Sequence, residues 1–160
     1  MTTPNFAIGT YVHLTDKSGT LIPGNAWQNF YHGETRTKDG IDYLYAGFGF
    51  SGAALDIEAA AVTAQLVFSL NALDLGVFQT ACDNSYVAQI DTVWLDPESL
   101  TETSTYYRET MSVLSFSHNS SRLTVTVGSP DNALDVGFPR LRLTAKMVGQ
   151  LPSQGQIPLT

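Results

Sequence analysis

The chain has 160 residues, of which 43% are hydrophobic and 14% charged, and its formal net charge at pH 7 is −7. This composition predicts one folded domain whose core needs neither a disulfide nor a metal. The eight basic residues are scattered along the sequence, which argues against nucleic acid or an anionic membrane as the main ligand.

The N-terminus and the single cysteine bear on where the chain folds and on which covalent or metal sites it can form. Residues 1–5 lack the basic start and apolar run of a signal peptide, and no stretch approaches the roughly 20 apolar residues of a membrane span. We therefore expect the chain to fold in a cytosol. Cys82 stands alone, which excludes an intramolecular disulfide and a cysteine-ligated zinc or iron–sulfur site. We predict that Cys82 is a small buried apolar residue.

The first elements are predicted strands. Apolar residues in 6–14, a turn at 16–19 and the short apolar run 20–22 predict a β-hairpin. We expect the proline and glycine of 23–25 to end this hairpin. A separate, aromatic-rich run follows at 27–31.

The next segment is rich in glycine. The Asp39-Gly40 pair predicts a tight turn before a strand at 41–45. The glycines of 47–52 predict a bulge or a close approach of backbones. Ser51 stands in a near match to the nucleophile elbow of hydrolases, but Ala53 replaces the second glycine, so we do not expect Ser51 to be catalytic.

The centre of the chain carries its strongest periodic signals. Apolar residues at every second position predict a strand at 62–70, and Asn71 is suited to cap a following helix. Leu73, Val77, Phe78 and Ala81 recur at helical spacing. A second strand is predicted at 86–95.

A long strand is predicted at 106–116, after a polar loop at 100–104. Met111 and Val113 lie on one predicted face, and Leu114 and Phe116 lie on the other. Apolar residues on both faces indicate burial from two sides, by a second sheet or by a neighbouring subunit. We therefore take these four residues as a candidate oligomer interface.

The remaining residues predict one clean strand and an extended end. Residues 122–127 alternate strictly between apolar and polar and are expected to form a hairpin with the preceding strand. One helical turn at 132–136 and a short strand at 141–145 follow. Residues 149–160 predict an extended arm without regular structure, which is either a frayed terminus or a segment that orders against a partner. Its candidate interface anchors are Leu151, Ile157 and Leu159.

Together these elements predict a mainly β fold with one short helix (α+β). The expected architecture is an antiparallel split β-barrel or β-sandwich with the helix packed against it. We expect a single domain over residues 1–148 and an extended arm over 149–160.

No constellation in the sequence carries chemistry. His13, His32 and His118 stand at no metal-ligand spacing, and no phosphate-binding glycine loop is present. The fifteen acidic residues leave a hydrolase with a carboxylate pair possible without selecting any pair. We predict no catalytic residue, no metal and no cofactor.

The order of the elements nevertheless has a recognisable pattern. It runs from a glycine-rich segment at 47–52 to a strand that ends at Leu70-Asn71, a short helix, a strand that ends at Trp94-Leu95-Asp96-Pro97, a long hairpin and the segment Asp135-Val136-Gly137-Phe138-Pro139-Arg140-Leu141. Over residues 46–145 this order resembles the tail-tip and tail-hub proteins of long-tailed phages, the lambda-type family and its relatives in gene transfer agents.

The resemblance implies a structural role without catalysis. In that family a split β-barrel packs beside a helix, and its hairpins join those of neighbours in a ring around the tail channel. It implies self-association in a trimeric or hexameric ring, contacts with neighbouring tail proteins and a virion location after assembly in the host cytoplasm. Some members carry a cysteine-ligated iron–sulfur cluster, which Cys82 alone does not supply. DNA would pass through the channel without specific binding, since an acidic wall repels it.

Several alternatives remain open at this point. The position in the tail, as tip, hub, terminator or adaptor, is not determined. A carbohydrate-binding β-sandwich of a receptor-binding protein would instead use an exposed row of aromatic side chains, with Trp27 and Tyr31 as candidates.

Overall fold

The structure is a computed structural model that describes residues 7–56, 61–69 and 75–129. These residues are mainly β with one short helix, as predicted. The elements are β1 (Ala7–Thr15), β2 (Leu21–Gln28), β3 (Arg36–Lys38), β4 (Ile41–Tyr45), β5 (Phe48–Phe50), β6 (Ala54–Asp56), β7 (Ala61–Ser69), α1 (Leu75–Asp83), β8 (Val87–Leu95), β9 (Glu102–His118) and β10 (Arg122–Gly128).

All ten strands belong to one sheet. Its order is β3-β4-β2-β1-β8-β9-β10-β7-β5, and β6 also pairs with β7. Neighbours are antiparallel except β2 and β4, which run parallel where Trp27 and Gln28 face Leu44 and Tyr45. Within the described residues the sheet is mixed and is not closed into a barrel. The predicted antiparallel arrangement is therefore correct for every pair but this one.

The two ends of the sheet are joined where β4 leads into β5. Only Ala46 and Gly47 separate these strands, although β4 pairs at one end of the sheet and β5 at the other. The Ala46 N–H donates to the Gln28 carbonyl at 2.9 Å, and the Ser69 N–H donates to the Gly47 carbonyl at 2.8 Å. This short crossing brings the ends together and turns one face of the sheet inward.

Asn29 ties the same corner with its side chain. Its Oδ1 accepts from the Thr10 N–H at 2.8 Å, and its Nδ2 donates to the Phe48 carbonyl at 3.1 Å. One amide therefore links β1 with β5, two strands that no ladder joins in the described sheet.

The core lies on the inward face and is closed by the helix. The ring of Trp27 stacks on Phe78 of α1, with centroids 5.6 Å apart, and meets Phe68 of β7 edge-on at 5.7 Å. Both Phe68 and Phe78 are 1% exposed. The alternation predicted for β7 and β10 is confirmed, since these strands bury the following residues: Ala64, Leu66, Phe68, Leu123, Val125 and Val127.

A bulge explains why β9 looks apolar on two sides. Met111 and Val113 point into the core, and the register with β10 shifts between Thr126 and Val127. Because of this shift, Phe116 also packs against the core, although it stands an odd number of residues after Val113. The pattern thus has a source within the chain and does not require a second layer outside it.

Two predicted boundaries are wrong. The run 23–25 does not end a strand, because β2 continues from Leu21 to Gln28. Its register shifts opposite Leu14, and Gly24 adopts a φ of 77°, so the proline lies in an irregular stretch where no regular ladder bond is lost. The predicted loop at 100–104 is also partly strand, because β9 begins at Glu102.

The predicted elements at 132–136 and 141–145, the arm at 149–160 and the Asn71 cap lie outside the described residues. The helix itself is confirmed as α1, which ends at Asp83 just before Ser85 with its φ of 52°.

Replacing Asn29 tests the closure of the sheet. Asn29→Ala leaves the Thr10 N–H and the Phe48 carbonyl without this partner, so we expect the free energy of unfolding to fall by about 1–3 kcal/mol. Urea unfolding measures the change. Asn25→Ala, within β2 and four residues before Asn29, is the matched control and should change stability by less than about 0.5 kcal/mol. Equal effects of the two substitutions would mean that Asn29 does not hold the corner.

Candidate functional site

The β3–β4 hairpin covers part of the outward face of the sheet. Its turn is the predicted Asp39-Gly40 pair, whose φ angles of 52° and 78° match a type I′ turn. Tyr43 of β4 is 1% exposed and packs on Tyr11 of β1. The small second core beneath the hairpin comprises Tyr11, Ala26, Tyr43, Val93 and Leu95.

A partly buried polar cluster lies under the same hairpin. His13 Nδ1 and the Tyr43 hydroxyl are 2.8 Å apart, and both side chains are buried. Asp91 lies directly opposite Arg108 in the β8–β9 register and accepts two hydrogen bonds from its guanidinium, at 2.6 and 2.7 Å. Arg108 also reaches Asp39 in the hairpin turn at 3.4 Å. We call these five residues the hairpin cluster.

Burial and charge shift the ionisation of this cluster. Burial lowers the pKa of His13, an effect that the nearby Asp91 carboxylate partly offsets. Burial raises the pKa of Tyr43, and it raises the pKa of Tyr11 to about 12. The hydrogen bonds to Asp91 raise the pKa of Arg108, which stays charged. His13 is therefore neutral when folded at neutral pH.

This arrangement suits attachment of the hairpin better than catalysis. His13 is 5% exposed and Asp91 is 2% exposed, so a substrate does not reach either group. Each polar group is bonded within the cluster, and the Arg108 side chain spans from the sheet to the hairpin turn. Lys38 and Glu102 add a second ion pair between hairpin and sheet. We interpret the hairpin cluster as the polar part of a packed layer.

The N-terminal half of β9 runs past the end of its neighbour β10. Residues 102–110 pair with β8 on one side, whereas β10 ends opposite Ser112. On the side away from β8, residues 102–110 have no strand partner in the part of the chain that the structure describes. We call this stretch the β9 extension.

Aromatic side chains line the β9 extension. Tyr106 is 62% exposed and Tyr107 is 52% exposed. Tyr106 meets Trp94 of β8 edge-on at 4.8 Å, and Trp94 lies opposite Ile8, which is 59% exposed. An unpaired strand edge beside exposed aromatic residues is a ready surface for another chain.

The β9 extension also contains a buried acid. Glu109 continues the inward-facing row of Met111 and Val113 and is 7% exposed. A hydrogen bond with Glu109 raises the pKa of the Tyr107 hydroxyl, but Oε2 of Glu109 has no hydrogen-bond partner. Glu109 lines a cavity of about 270 Å³. The cavity is also lined by Val62 at the start of β7 and by Ser129, which follows the end of β10.

The predicted interface residues fall into three groups. Met111 and Val113 are buried in the chain's own core, and Phe116 is half-buried against it. Leu114 is half-buried beside the bulge. Leu151, Ile157 and Leu159 lie outside the described residues, so an interface role for this set stays a prediction.

The structure also places the sugar-binding, nucleophile and cysteine candidates from the sequence. Trp27 is buried, which removes it from an exposed sugar-binding row, and Tyr31 lies under the Arg36 guanidinium at 3.7 Å. Ser51 Oγ accepts the Gln65 N–H and donates to the Gly52 carbonyl, so it is engaged by backbone. Cys82 is only half-buried, at the edge of the core. Among the described residues, no group of three acidic, histidine or cysteine side chains is placed to hold a metal.

Sequence reasoning missed Glu109 although a signal was present. Tyr107, Glu109, Met111 and Val113 occupy alternate positions of one strand, so an acid interrupts an otherwise apolar face. The hairpin cluster had no such signal, because His13, Tyr43 and Asp91 come from three distant segments.

Comparison with known proteins gives a likeness of fold to solved structures. No family model and no curated protein matches the chain. Among solved structures, it is similar to a chain in the virion of a native gene transfer agent particle, with a TM-score of 0.51 and 11% sequence identity. The match covers 85% of this chain and 44% of that chain, so this chain spans less than half of the matched one. At this identity the match is a likeness of fold.

Within the described residues, no helix has the length and apolar character needed to cross a membrane.

The buried histidine predicts a pH-dependent stability. Unfolded His13 takes its ordinary pKa of about 6.5, whereas burial lowers the folded value. The unfolded chain therefore binds more protons as the pH falls below about 6.5, and the free energy of unfolding decreases there. We expect His13→Gln to reduce this decrease in urea unfolding series. His118→Gln, at an exposed histidine, should retain the wild-type dependence; identical profiles for all three proteins would contradict the prediction.

Proposed function

We propose that this chain is a non-catalytic structural subunit of a phage-like tail. In this proposal it assembles with copies of itself into a ring of three or six around the tail channel. The ring connects the tail tube to distal parts as a tip, hub or adaptor. The virion is then its final location.

The observation that carries the proposal is the β9 extension. The first nine residues of this 17-residue strand lack a partner strand on the side away from β8 among the described residues, which leaves an edge that a neighbouring chain is able to complete. The exposed rings of Tyr106 and Tyr107 stand beside that edge. A closed ring of copies removes such edges from solvent.

The likeness to a chain of a gene transfer agent virion supports the same class of role. The net charge of −7 fits a channel wall past which DNA moves without being held. The half-buried Leu114 and Phe116, together with Leu151, Ile157 and Leu159, are proposed as further contacts with neighbours.

Assembly is the direct test. Native mass spectrometry and light scattering of the full chain, alone and coexpressed with the products of adjacent genes, should give a closed ring or a defined complex. Tyr106→Thr should weaken that assembly by about tenfold or more, because exposed aromatic residues dominate such interfaces. The matched control is Leu44→Thr, which removes an apolar residue that is 51% exposed on β4. A monomer under both conditions would contradict the proposal.

A further inference from the structure

The β9 extension combines two features that each call for a partner. Its edge away from β8 lacks a strand partner among the described residues, and its inward-facing Glu109 carries a buried oxygen without a hydrogen bond. A buried carboxylate is costly unless it is paired with a cation and hydrogen-bonded.

No basic side chain of the described residues meets this need. Arg108, the adjacent residue, points to the opposite face and is bonded to Asp91 and Asp39. Lys38 is paired with Glu102. Glu109 raises the pKa of the neighbouring Tyr107 hydroxyl, but its buried Oε2 has no hydrogen-bond partner, and the residue lines the cavity.

Sheet geometry links the two features. A strand added to the free edge would place the side chain opposite Glu109 on the same face, with the two Cβ atoms about 5 Å apart. An arginine or lysine at that position would reach the cavity beside Oε2. The cavity of about 270 Å³ lies between Glu109, Met111, Val62 and Ser129.

We propose that the β9 extension binds an extended segment of a neighbouring subunit, and that Glu109 accepts hydrogen bonds from a basic side chain of that segment. This inference rests on the proposed assembly role and specifies its docking site. The backbone of the added strand completes the sheet, and the basic residue sets the register. An apolar residue at the same position would leave the carboxylate unpaired, so Glu109 selects among segments.

Two blocked pentapeptides test the site on the full chain. The first is acetyl-Thr-Val-Arg-Val-Thr-amide, and the second has citrulline, which is uncharged, in place of arginine. We expect the arginine peptide to shift amide NMR signals of residues 103–110 with a Kd on the order of 1 mM. The citrulline peptide should bind about tenfold more weakly, because a charge-assisted hydrogen bond to a buried carboxylate is lost.

Matched variants assign the selectivity to one residue. In Glu109→Gln the two peptides should bind alike, and the variant should unfold at the same temperature as the wild type or higher, because a buried unpaired charge is gone. Glu98→Gln removes an equal charge from an exposed turn and should keep the tenfold difference. A Glu109→Gln protein of strongly reduced stability would instead indicate a role inside the chain.

Three results would overturn the inference. The first is equal binding of the two peptides to the wild type, which would mean that water already satisfies Glu109. The second is the absence of shifts at β9 with either peptide. The third is slow hydrogen exchange, in the isolated chain, at those amides of residues 103–109 that point away from β8. Slow exchange there would mean that the edge is already paired. The ring measurement uses no peptide, so its failure is distinguishable from these.

Discussion

The two-residue crossing from β4 to β5 is the constraint on which the fold depends. Hydrogen bonds at Ala46 and Gly47 attach this crossing to the two ends of the sheet, and Asn29 ties β1 to Phe48 beside it. A ten-stranded sheet without this link would expose two faces. With the ends held together, one face becomes an interior that Phe78 of α1 closes from the side. The core is therefore a consequence of backbone bonds at one corner.

Closing one face leaves the other to be covered piece by piece. The β3–β4 hairpin covers β1 and β8, where Tyr43 and the Asp91–Arg108 pair hold it. Its polar groups are bonded internally, which is why a histidine and an aspartate are tolerated there without access to solvent. The hairpin does not extend along all of β9. Because β9 has 17 residues and β10 has seven, the β9 extension runs past the end of β10, although the hairpin contacts its outward face at Glu102 and Arg108.

The sequence predicted the elements whose residues repeat with a regular local period. It missed the features that depend on contacts between distant segments. Strict alternation identified β7 and β10, and helical spacing identified α1. The boundary at 23–25 failed because a proline is harmless in an irregular stretch opposite Leu14. The two apolar faces of β9 predict a second sheet or a neighbouring subunit, whereas the structure shows a bulge that moves Phe116 to the core side. The parallel contact of β2 and β4 has no local signature, since it follows from the crossing at Ala46.

An acid on the edge strand β9 has two effects on strand pairing that an apolar residue would lack. Proteins protect exposed edges with inward-pointing charges, because a strand that pairs there must desolvate the charge. Glu109 would reject a generic apolar strand for that reason. The same carboxylate would favour a strand that carries a cation at the opposite position, since the pair then offsets the desolvation. Protection against wrong partners and selection of the right one are thus one interaction, and both depend on the open oxygen of Glu109.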